Sequence, residues 1–173
     1  MINYKEKLKP IRAFVFDFDG VMTDGSVWIF ADGESVRAGN IKDGFAIQYA
    51  VKKGYIVAVI SGATSASIDN RMHSLGVTQV YTGCANKMGT YLKFLETNNL
   101  KADEVVCMGD DLPDYDIMRH SGVAACPADA ATEIKDIADY ISLYPGGRGC
   151  VRDIIEQTLR LHGQWFHPDA LTW

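Results

Sequence analysis

The sequence has no long hydrophobic run and no excess of positive charge. No window reaches the roughly 18 consecutive apolar residues that a membrane-spanning helix requires. The 17 lysines and arginines are outnumbered by 22 aspartates and glutamates, which gives a net charge of -5. Bulk electrostatics therefore disfavour binding to nucleic acid or to an anionic membrane. We expect neither of these partners.

Cysteine and histidine are scarce, and neither is spaced as a metal site. The four cysteines contain no CxxC pair: Cys84, Cys107, Cys126 and Cys150. Isolated thiols of this kind are typical of small buried side chains in a reducing compartment. The charged first ten residues also lack the apolar stretch of a signal peptide. We therefore expect a cytoplasmic protein.

Short apolar runs alternate with amphipathic stretches along the chain. The runs predict strands at residues 13–16, 56–60, 79–82, 105–108, 123–125 and 140–141. The stretches between them predict helices at residues 44–53, 66–75, 87–98, 114–121, 130–137 and 151–161. Runs that are apolar at every position indicate strands buried on both faces, as in a parallel sheet. We predict an α/β fold with a doubly wound, mostly parallel sheet, in one domain over residues 1–173.

Two segments depart from this alternation. In residues 27–37, the apolar run 27–30 and the segment 34–37 flank Asp32-Gly33, which is a strong signal for the turn of a β-hairpin. This hairpin follows the first strand, where a helix would be expected, and we predict a hairpin flap over about residues 21–40. The C-terminal tail, about residues 162–173, has little helical pattern and carries Trp165, Phe166 and Trp173.

Polar side chains follow the predicted strands at the points where the strands end. They are Asp17 and Asp19 after the first strand, Ser61 after the second, Lys87 at the helix after the third, and Asp110 and Asp111 after the fourth. Ligands of open α/β sheets bind at this edge. Four carboxylates that converge there would repel one another unless a divalent cation held them. Oxygen donors without His or Cys favour Mg²⁺, then Ca²⁺, particularly when a phosphate completes the coordination.

Each of these features also has a purely structural interpretation. Asp17 and Asp19 could form a turn at a strand end, and residues 109–111 could be acidic caps of a helix. Lys87 alone could be a solvated surface lysine. Their joint occurrence favours the chemical interpretation.

Four segments, in order, resemble the motifs of the haloacid dehalogenase superfamily of phosphatases. Asp17-Phe18-Asp19-Gly20-Val21 resembles the first motif, and Ile60-Ser61-Gly62 resembles the second. Lys87 occupies the place of the third, and residues 109–114, Gly-Asp-Asp-Leu-Pro-Asp, are similar to the fourth.

The resemblance implies a role for each of these residues. Asp17 would be the nucleophile that forms an aspartyl-phosphate, and Asp19 would be the general acid and base. Mg²⁺ would be held by the Asp17 carboxylate, the Asp19 carbonyl and Asp110. Ser61 and Lys87 would donate to the other phosphoryl oxygens.

Two further acidic residues of the fourth motif would act indirectly. By the same resemblance, Asp111 and Asp114 would orient the metal ligands and Lys87 rather than touch phosphate.

The spacing of the motifs leaves no room for the cap domain that usually covers the cleft in this superfamily. Residues 20–60 and 88–109 are filled by the elements predicted there and cannot also hold a domain of even ~50 residues. An uncapped cleft is open to water, so another element must close it. In the capless branch of the superfamily, neighbouring subunits of a tetramer provide the lid.

Local sequences resemble one family of that branch, the 3-deoxy-D-manno-octulosonate 8-phosphate phosphatases. They are residues 17–25, Lys42-Asp43-Gly44, Gly146-Gly147-Arg148-Gly149 and Val151-Arg152. The resemblance implies a Mg²⁺-dependent phosphomonoesterase of lipopolysaccharide-sugar synthesis. It also implies a homotetramer in which four hairpins meet, and in which residues 146–148 and the tail reach a neighbour's cleft.

The substrate of that family carries a carboxylate as well as a phosphate. The resemblance implies that Gly62 and Arg71 contact it, and that Arg148 reaches over from a neighbouring subunit. The structural alternatives are a solvated helix position for Arg71 and a loop arginine for Arg148. Relatives that act on nine-carbon nonulosonate phosphates carry an acidic residue and a lysine where Ala63 and Ser74 lie here, which favours the eight-carbon sugar.

Three other functions remain open from the sequence. The chain could be a nonulosonate 9-phosphate phosphatase or a broad sugar phosphatase, with the same chemistry. It could also be a non-catalytic assembly module whose carboxylates bind a structural cation. The intact pair of Asp17 and Asp19 favours an enzyme, because a degenerate relative usually loses one of the two.

Overall fold

A computed structural model describes residues 3–64 and 66–172 of the chain. Its strands are β1 (Ala13–Phe16), β2 (Trp28–Ile29), β3 (Ser35–Val36), β4 (Ile56–Ile60), β5 (Gln79–Tyr81), β6 (Val105–Met108), β7 (Val123–Cys126) and β8 (Tyr140–Ile141). Six of them form one sheet in the order β5-β4-β1-β6-β7-β8, and every neighbouring pair is parallel. The predicted parallel sheet is confirmed.

Helices cover both faces of this sheet. They are α1 (Tyr4–Lys7), α2 (Ile41–Lys52), α3 (Ala66–Ser74), α4 (Lys87–Thr97), α5 (Tyr115–Arg119), α6 (Thr132–Ile137) and α7 (Cys150–Leu161). Buried side chains of α2, α3 and α7 form the core of one face, and those of α4, α5 and α6 form the core of the other. The sheet is therefore doubly wound. Over the described ranges, no helix combines the length and apolarity needed to cross a membrane.

Strand β1 shows why the apolar runs are continuous. Phe14 and Phe16 point into the core with α2 and α7, whereas Ala13 and Val15 point into the core with α4 and α5. All four side chains are fully buried. Because β1 is central, pairing with β4 on one side and β6 on the other, both of its faces exclude water and no polar alternation is possible.

The predicted hairpin is present as a separate two-stranded sheet. Strands β2 and β3 are antiparallel, with Trp28 opposite Val36. Gly33 lies in the turn with a φ of 88°, a conformation that favours glycine. We use "the hairpin" for residues 28–36. Between β1 and β4 the structure holds only the hairpin and α2, so no cap domain is inserted there.

Several helix boundaries differ from the prediction because caps decide them. Helix α2 begins at Ile41, three residues earlier than predicted, because the Asn40 side chain accepts hydrogen bonds from the Lys42 and Asp43 backbone N–H groups. Helix α1 was not predicted at all. Its single turn is capped by Asn3 and carries only charged residues and Tyr4, so it has no apolar periodicity to detect.

The described part of the tail packs on its own chain. Trp165 packs edge-on against Tyr49, with ring centroids 5.5 Å apart. Asp169 accepts a hydrogen bond from the Tyr49 hydroxyl and forms a 2.7 Å ion pair with Lys53. Residues 164–170 are therefore held against α2 of the same chain. That the tail reaches a neighbour's cleft stays a prediction. Trp173 lies outside the described residues.

Candidate active site

A cleft of about 330 Å³ opens at the carboxyl ends of β1, β4 and β6. Strand ends of a doubly wound sheet converge there, so side chains that are distant in sequence become neighbours. The predicted site residues that line the cleft are Asp17, Asp19, Ser61, Gly62, Lys87, Asp110, Asp111 and Asp114.

Lys87 connects two carboxylates at the floor of the cleft. Its Nζ lies 2.7 Å from Asp114 Oδ1 and 3.0 Å from Asp17 Oδ1, and its side chain is 7% exposed. Burial disfavours the ammonium and lowers the pKa of Lys87, but the charges of Asp17 and Asp114 outweigh burial, so that the pKa is raised. Lys87 is therefore a fixed positive charge beside the Asp17 carboxylate.

Three carboxyl groups crowd together beside Lys87. Oxygens of Asp17, Asp110 and Asp114 all lie within 4.8 Å of one another. Burial raises the pKa of Asp17 to about 7, with a further contribution from Asp114. Burial also raises the pKa of Asp110 to about 7, with further contributions from Asp17 and Asp114. This cluster holds more negative charge than Lys87 neutralises.

The donor set of this cluster fits a divalent cation. Oδ1 of Asp17 and Oδ1 of Asp110 are buried and accept no hydrogen bond from any of the described residues. Asp17 Oδ1 is close to Lys87 Nζ but not aligned with it as a hydrogen-bond acceptor. Buried oxygens without a donor are costly unless a cation coordinates them. Carboxylate oxygens without nitrogen or sulfur suit Mg²⁺.

Two glycines permit this close approach of acidic side chains. Gly20 has a φ of 87°, and a Cβ there would lie 2.0 Å from Asp110 Oδ2. A Cβ on Gly109 would lie 2.3 Å from the Asp114 Cβ. Asp114 Oδ2 also accepts a hydrogen bond from the Asp110 backbone N–H at 3.2 Å. Asp114 thus contacts both Lys87 and the main chain of Asp110, which is the geometry of an orienting residue.

Ser61 and Asp111 lie at the sides of the cleft. Ser61 is 1% exposed, and its Oγ accepts a hydrogen bond from the Ala63 backbone N–H at 3.2 Å. This bond leaves the Ser61 hydroxyl proton available for a phosphoryl oxygen. Asp111 is exposed and caps the short 3₁₀ turn Leu112–Asp114 by accepting from the Leu112 N–H. Its contact is therefore with the backbone of the fourth motif and not with Lys87.

Arg37 is a site residue that the sequence analysis missed. Its Nε donates to Asp19 Oδ1 at 2.6 Å, and its Nη1 donates to Ser35 Oγ at 3.1 Å. The only sequence signal was a charged residue at the end of a predicted hairpin, and such residues are usually solvated. The hairpin, however, turns this end towards the first motif.

The structure does not bring Arg71 or Arg148 into the cleft of their own chain. Arg71 lies against α2, where a Cβ on Gly44 would come within 2.5 Å of Arg71 Nη2. Arg148 is exposed, and its Nη2 lies 3.2 Å from Asp24 Oδ2. Neither arginine lines the cleft, so contact with the same chain's substrate is not supported.

The glycine-rich segment before α7 supports its own chain's catalytic loop, which we define as residues 20–24. A Cβ on Gly146 would lie 1.9 Å from the Gly20 carbonyl oxygen. The Gly147 N–H donates to the Val21 carbonyl oxygen at 2.9 Å. Only glycine can pack this closely on the loop, so residues 146 and 147 support their own chain. That residues 146–148 reach a neighbour's cleft stays a prediction.

Comparison with known proteins agrees with this architecture. Residues 78–151 match the haloacid dehalogenase-like hydrolase family. The chain is 34% identical over 158 residues to the 3-deoxy-D-manno-octulosonate 8-phosphate phosphatase KdsC of Escherichia coli K12, which covers 91% of this chain and 84% of that protein. It is 34% identical over 154 residues to KdsC of Yersinia pestis, with 89% and 82% covered.

Solved structures give the same result for the fold. The crystal structure of the Yersinia pestis phosphatase superposes with a TM-score of 0.92 at 31% identity, covering 94% of this chain and 88% of that one. The phosphatase of Moraxella catarrhalis, in complex with a magnesium ion, a phosphate ion and KDO, gives a TM-score of 0.89 at 28% identity, with 93% of each chain covered. With this similarity over almost its whole length, the chain belongs to the 3-deoxy-D-manno-octulosonate 8-phosphate phosphatase family of haloacid dehalogenase-like hydrolases.

Proposed function

We propose that this protein is a Mg²⁺-dependent phosphatase that hydrolyses 3-deoxy-D-manno-octulosonate 8-phosphate to the free sugar, KDO, and phosphate. The reaction belongs to the synthesis of the lipopolysaccharide sugar. The observation that carries the proposal is the cluster of Asp17, Lys87, Asp110 and Asp114 beside Asp19. It is supported by 34% identity to KdsC over 91% of the chain.

The reaction divides into two displacements at phosphorus. An Asp17 carboxylate oxygen attacks phosphorus and forms an aspartyl-phosphate, while the bond to the sugar oxygen breaks. Asp19 gives a proton to that leaving oxygen and then takes one from the water that hydrolyses the aspartyl-phosphate. Lys87 and Ser61 donate to phosphoryl oxygens, where negative charge is spread in the transition state.

Mg²⁺ would be held by carboxylates of Asp17 and Asp110 and by the Asp19 carbonyl oxygen. When bound, it would neutralise charge on the transferring phosphoryl group. Asp114 contacts both Lys87 and the Asp110 N–H, so it fixes the two groups that flank the nucleophile. Its role is to orient them, as Asp111 orients the backbone of the same motif.

A phosphate-release screen with purified protein tests the proposal. The panel holds 3-deoxy-D-manno-octulosonate 8-phosphate, a nine-carbon nonulosonate 9-phosphate and common hexose and pentose phosphates, each with Mg²⁺ and with EDTA. We expect the highest kcat/KM for the eight-carbon substrate, and no turnover in EDTA. A higher value for the nine-carbon substrate, or similar values throughout, would identify the two related phosphatase functions instead.

A non-catalytic assembly module is the alternative from another class. It predicts Mg²⁺ binding, visible as a rise in Tm, with no phosphate release from any substrate. The Oδ1 atoms of Asp17 and Asp110, which accept no hydrogen bond from the described residues, are compatible with both functions. The position of Asp19, two residues after Asp17 and at the edge of the same cleft, favours the enzyme.

We further propose a cytoplasmic homotetramer whose hairpins meet. The exposed fractions of Trp28, Ile29 and Phe30 are 69%, 78% and 54%, and such a patch on a short two-stranded sheet favours burial against copies of itself. Arg148 could then approach a neighbour's cleft after leaving Asp24. The four cysteines are free thiols, which supports a reducing compartment. Light scattering on the intact protein tests the assembly, and a monomer would refute it.

A further inference from the structure

We propose that Arg37 is a positioning residue that fixes the carboxyl group of Asp19 for proton transfer. The inference rests on the proposed function, because it takes Asp19 as the general acid and base. It assigns the base of the hairpin a part in the chemical step, in addition to any part in assembly.

The contact between the two side chains is short and direct. Arg37 Nε lies 2.6 Å from Asp19 Oδ1, and the Arg37 side chain is only 11% exposed. The Asp19 side chain is 31% exposed at the edge of the cleft. Its other side-chain contact, with Thr23 Oγ1, is 3.5 Å long. Without Arg37, the Asp19 carboxyl group would therefore have one weak partner to limit its rotation.

The hairpin holds the guanidinium in place from the opposite side. Arg37 directly follows β3, and its Nη1 donates to Ser35 Oγ on that strand. Pairing of Trp28 with Val36 fixes the strand to its partner. The fork of a guanidinium can serve a carboxylate and a second acceptor at fixed angles, so the hairpin sets the direction of the bond to Asp19.

Asp17 and Asp19 form ion pairs with different basic residues. Lys87 is committed to Asp17 and Asp114. Among residues 3–64 and 66–172, no other lysine or arginine forms an ion pair with Asp19. Each catalytic aspartate therefore has its own cation, one supplied by α4 and one by the hairpin.

Substrates with different leaving groups distinguish a positioning role of Arg37 from a structural role. A sugar alkoxide needs a proton to depart, whereas p-nitrophenolate departs without one. The value of kcat/KM covers only the steps up to the first phosphoryl transfer, so it reports this protonation. We expect Arg37→Ala to lower kcat/KM about 10-fold to 100-fold for alkyl phosphates, a part of the full general-acid effect, and less than about 3-fold for p-nitrophenyl phosphate.

The experiment uses intact protein with Mg²⁺ and three substrates: the octulosonate 8-phosphate, glucose 6-phosphate and p-nitrophenyl phosphate. Arg37→Lys, which keeps the charge but not the fork, should restore part of the alkyl activity. Glu34→Ala is a matched control for the hairpin, because Glu34 is exposed and precedes β3, and Arg12→Ala removes an exposed arginine paired with Glu104, outside the cleft. Both controls should retain the wild-type ratio of alkyl to aryl activity.

Binding is measured separately in the Asp17→Asn background, which cannot turn over. Calorimetric titration with the octulosonate 8-phosphate should give the same Kd, within about 3-fold, with and without the additional Arg37→Ala substitution, because positioning of Asp19 adds nothing to ground-state binding.

A Kd weakened 10-fold or more would make Arg37 a substrate ligand and overturn the proposal. Equal losses for alkyl and aryl phosphates would also overturn it, in favour of a structural role. If the wild-type protein hydrolyses glucose 6-phosphate but not the octulosonate phosphate, the proposed function is refuted. The Arg37 proposal is then tested by comparing glucose 6-phosphate with p-nitrophenyl phosphate.

Discussion

Asp17 and Asp19 are two residues apart, but they lie in different environments. The Asp17 side chain is 11% exposed, and its neighbours Lys87 and Asp114 are more buried still. Lys87 begins helix α4, and Asp114 lies in the turn that follows strand β6, so both neighbours belong to the main sheet and its helices. The Asp19 side chain is 31% exposed, and its cation comes from a hairpin that lies outside the sheet.

The difference matches two requirements of the proposed reaction. As the proposed nucleophile, Asp17 must have a fixed distance to phosphorus and to a cation, and groups buried in a close-packed fold provide that. As the proposed acid and base, Asp19 must meet different leaving groups and a water molecule, and an edge position allows this. The predictions below test whether the two environments have separate effects.

The largest expected effect is on turnover, from Asp17→Asn. An amide oxygen is a poor nucleophile, so we expect no detectable phosphate release from alkyl or aryl substrates. Asp19→Asn should retain phosphoryl transfer from p-nitrophenyl phosphate and lose about 10²–10⁴-fold on the sugar phosphate. The burst of p-nitrophenolate reports the first phosphoryl transfer in both variants, phosphate release reports complete turnover, and circular dichroism checks that both variants are folded. Full Mg²⁺-dependent activity of Asp17→Asn would contradict the covalent mechanism.

The next largest effect is on the free energy of unfolding, and it comes from the buried ammonium group of Lys87. Lys87→Met leaves Asp17 and Asp114 without their partner, and removing one member of a buried ion pair costs about 3–5 kcal/mol of unfolding free energy. Lys93→Met, an exposed lysine on the same helix, should cost less than about 0.5 kcal/mol. Urea denaturation compares the two. Equal costs would show that the pairs at the floor of the cleft do not stabilise the fold.

A smaller effect concerns pH and the metal. The pKa values of Asp17 and Asp110 are raised to about 7, so between about pH 4 and pH 7 the folded protein binds more protons than the unfolded chain. Stability without Mg²⁺ should therefore fall as pH rises through this window. Because Mg²⁺ competes with those protons, it should raise Tm more at about pH 7.5 than at about pH 5. Differential scanning fluorimetry measures both.

Asp110→Asn sharpens this pH prediction. Removing one buried charge should raise the metal-free Tm at about pH 7.5 by roughly 2–4 °C and abolish the rise with Mg²⁺. Asp111→Asn is the matched control, because Asp111 is exposed and asparagine caps a turn as well as aspartate. A lower metal-free Tm for Asp110→Asn would show that the acidic cluster is not under repulsion.

The smallest effect on stability is expected from Trp28, an exposed residue of the hairpin. Trp28→Ser removes an exposed side chain, so the unfolding free energy of one chain should change by less than about 0.5 kcal/mol. The molecular mass in light scattering should fall, because the apolar patch that favours assembly is smaller. Loss of mass together with a large loss of Tm at fixed concentration would mean that the hairpin stabilises the fold through assembly.

Patterns with a strong physical cause were predictable from sequence. The continuous apolar run of β1 follows from a central strand buried on two faces, and Asp32-Gly33 follows from the φ that the hairpin turn needs. Because polar residues follow the predicted strands, the sequence indicated that Asp17, Ser61 and Asp110 lie together, without any knowledge of the strand order.

Features that depend on tertiary distance were not predictable. Arg37 is one charged residue among many until the hairpin directs it to Asp19. Residues 146 and 147 carried a recognisable pattern, but only the structure shows that the glycines are needed for contact with Gly20 and Val21. The start of α7 is likewise set from a distance, by Asp43, which accepts hydrogen bonds from the Gly149 and Arg152 N–H groups.

The support of the catalytic loop by residues 146 and 147 has a consequence for biosynthesis. Every residue placed in the chemistry lies between Asp17 and Asp114, yet the loop after Asp19 packs against a segment that is translated later. Strand β1 lies between β4 and β6, so the strands around the proposed nucleophile are synthesised before α7, the helix that completes the core on one of their faces. The catalytic loop gains its support only when α7 has emerged. Activity should therefore appear late in synthesis, after the last catalytic residue has been incorporated and folded.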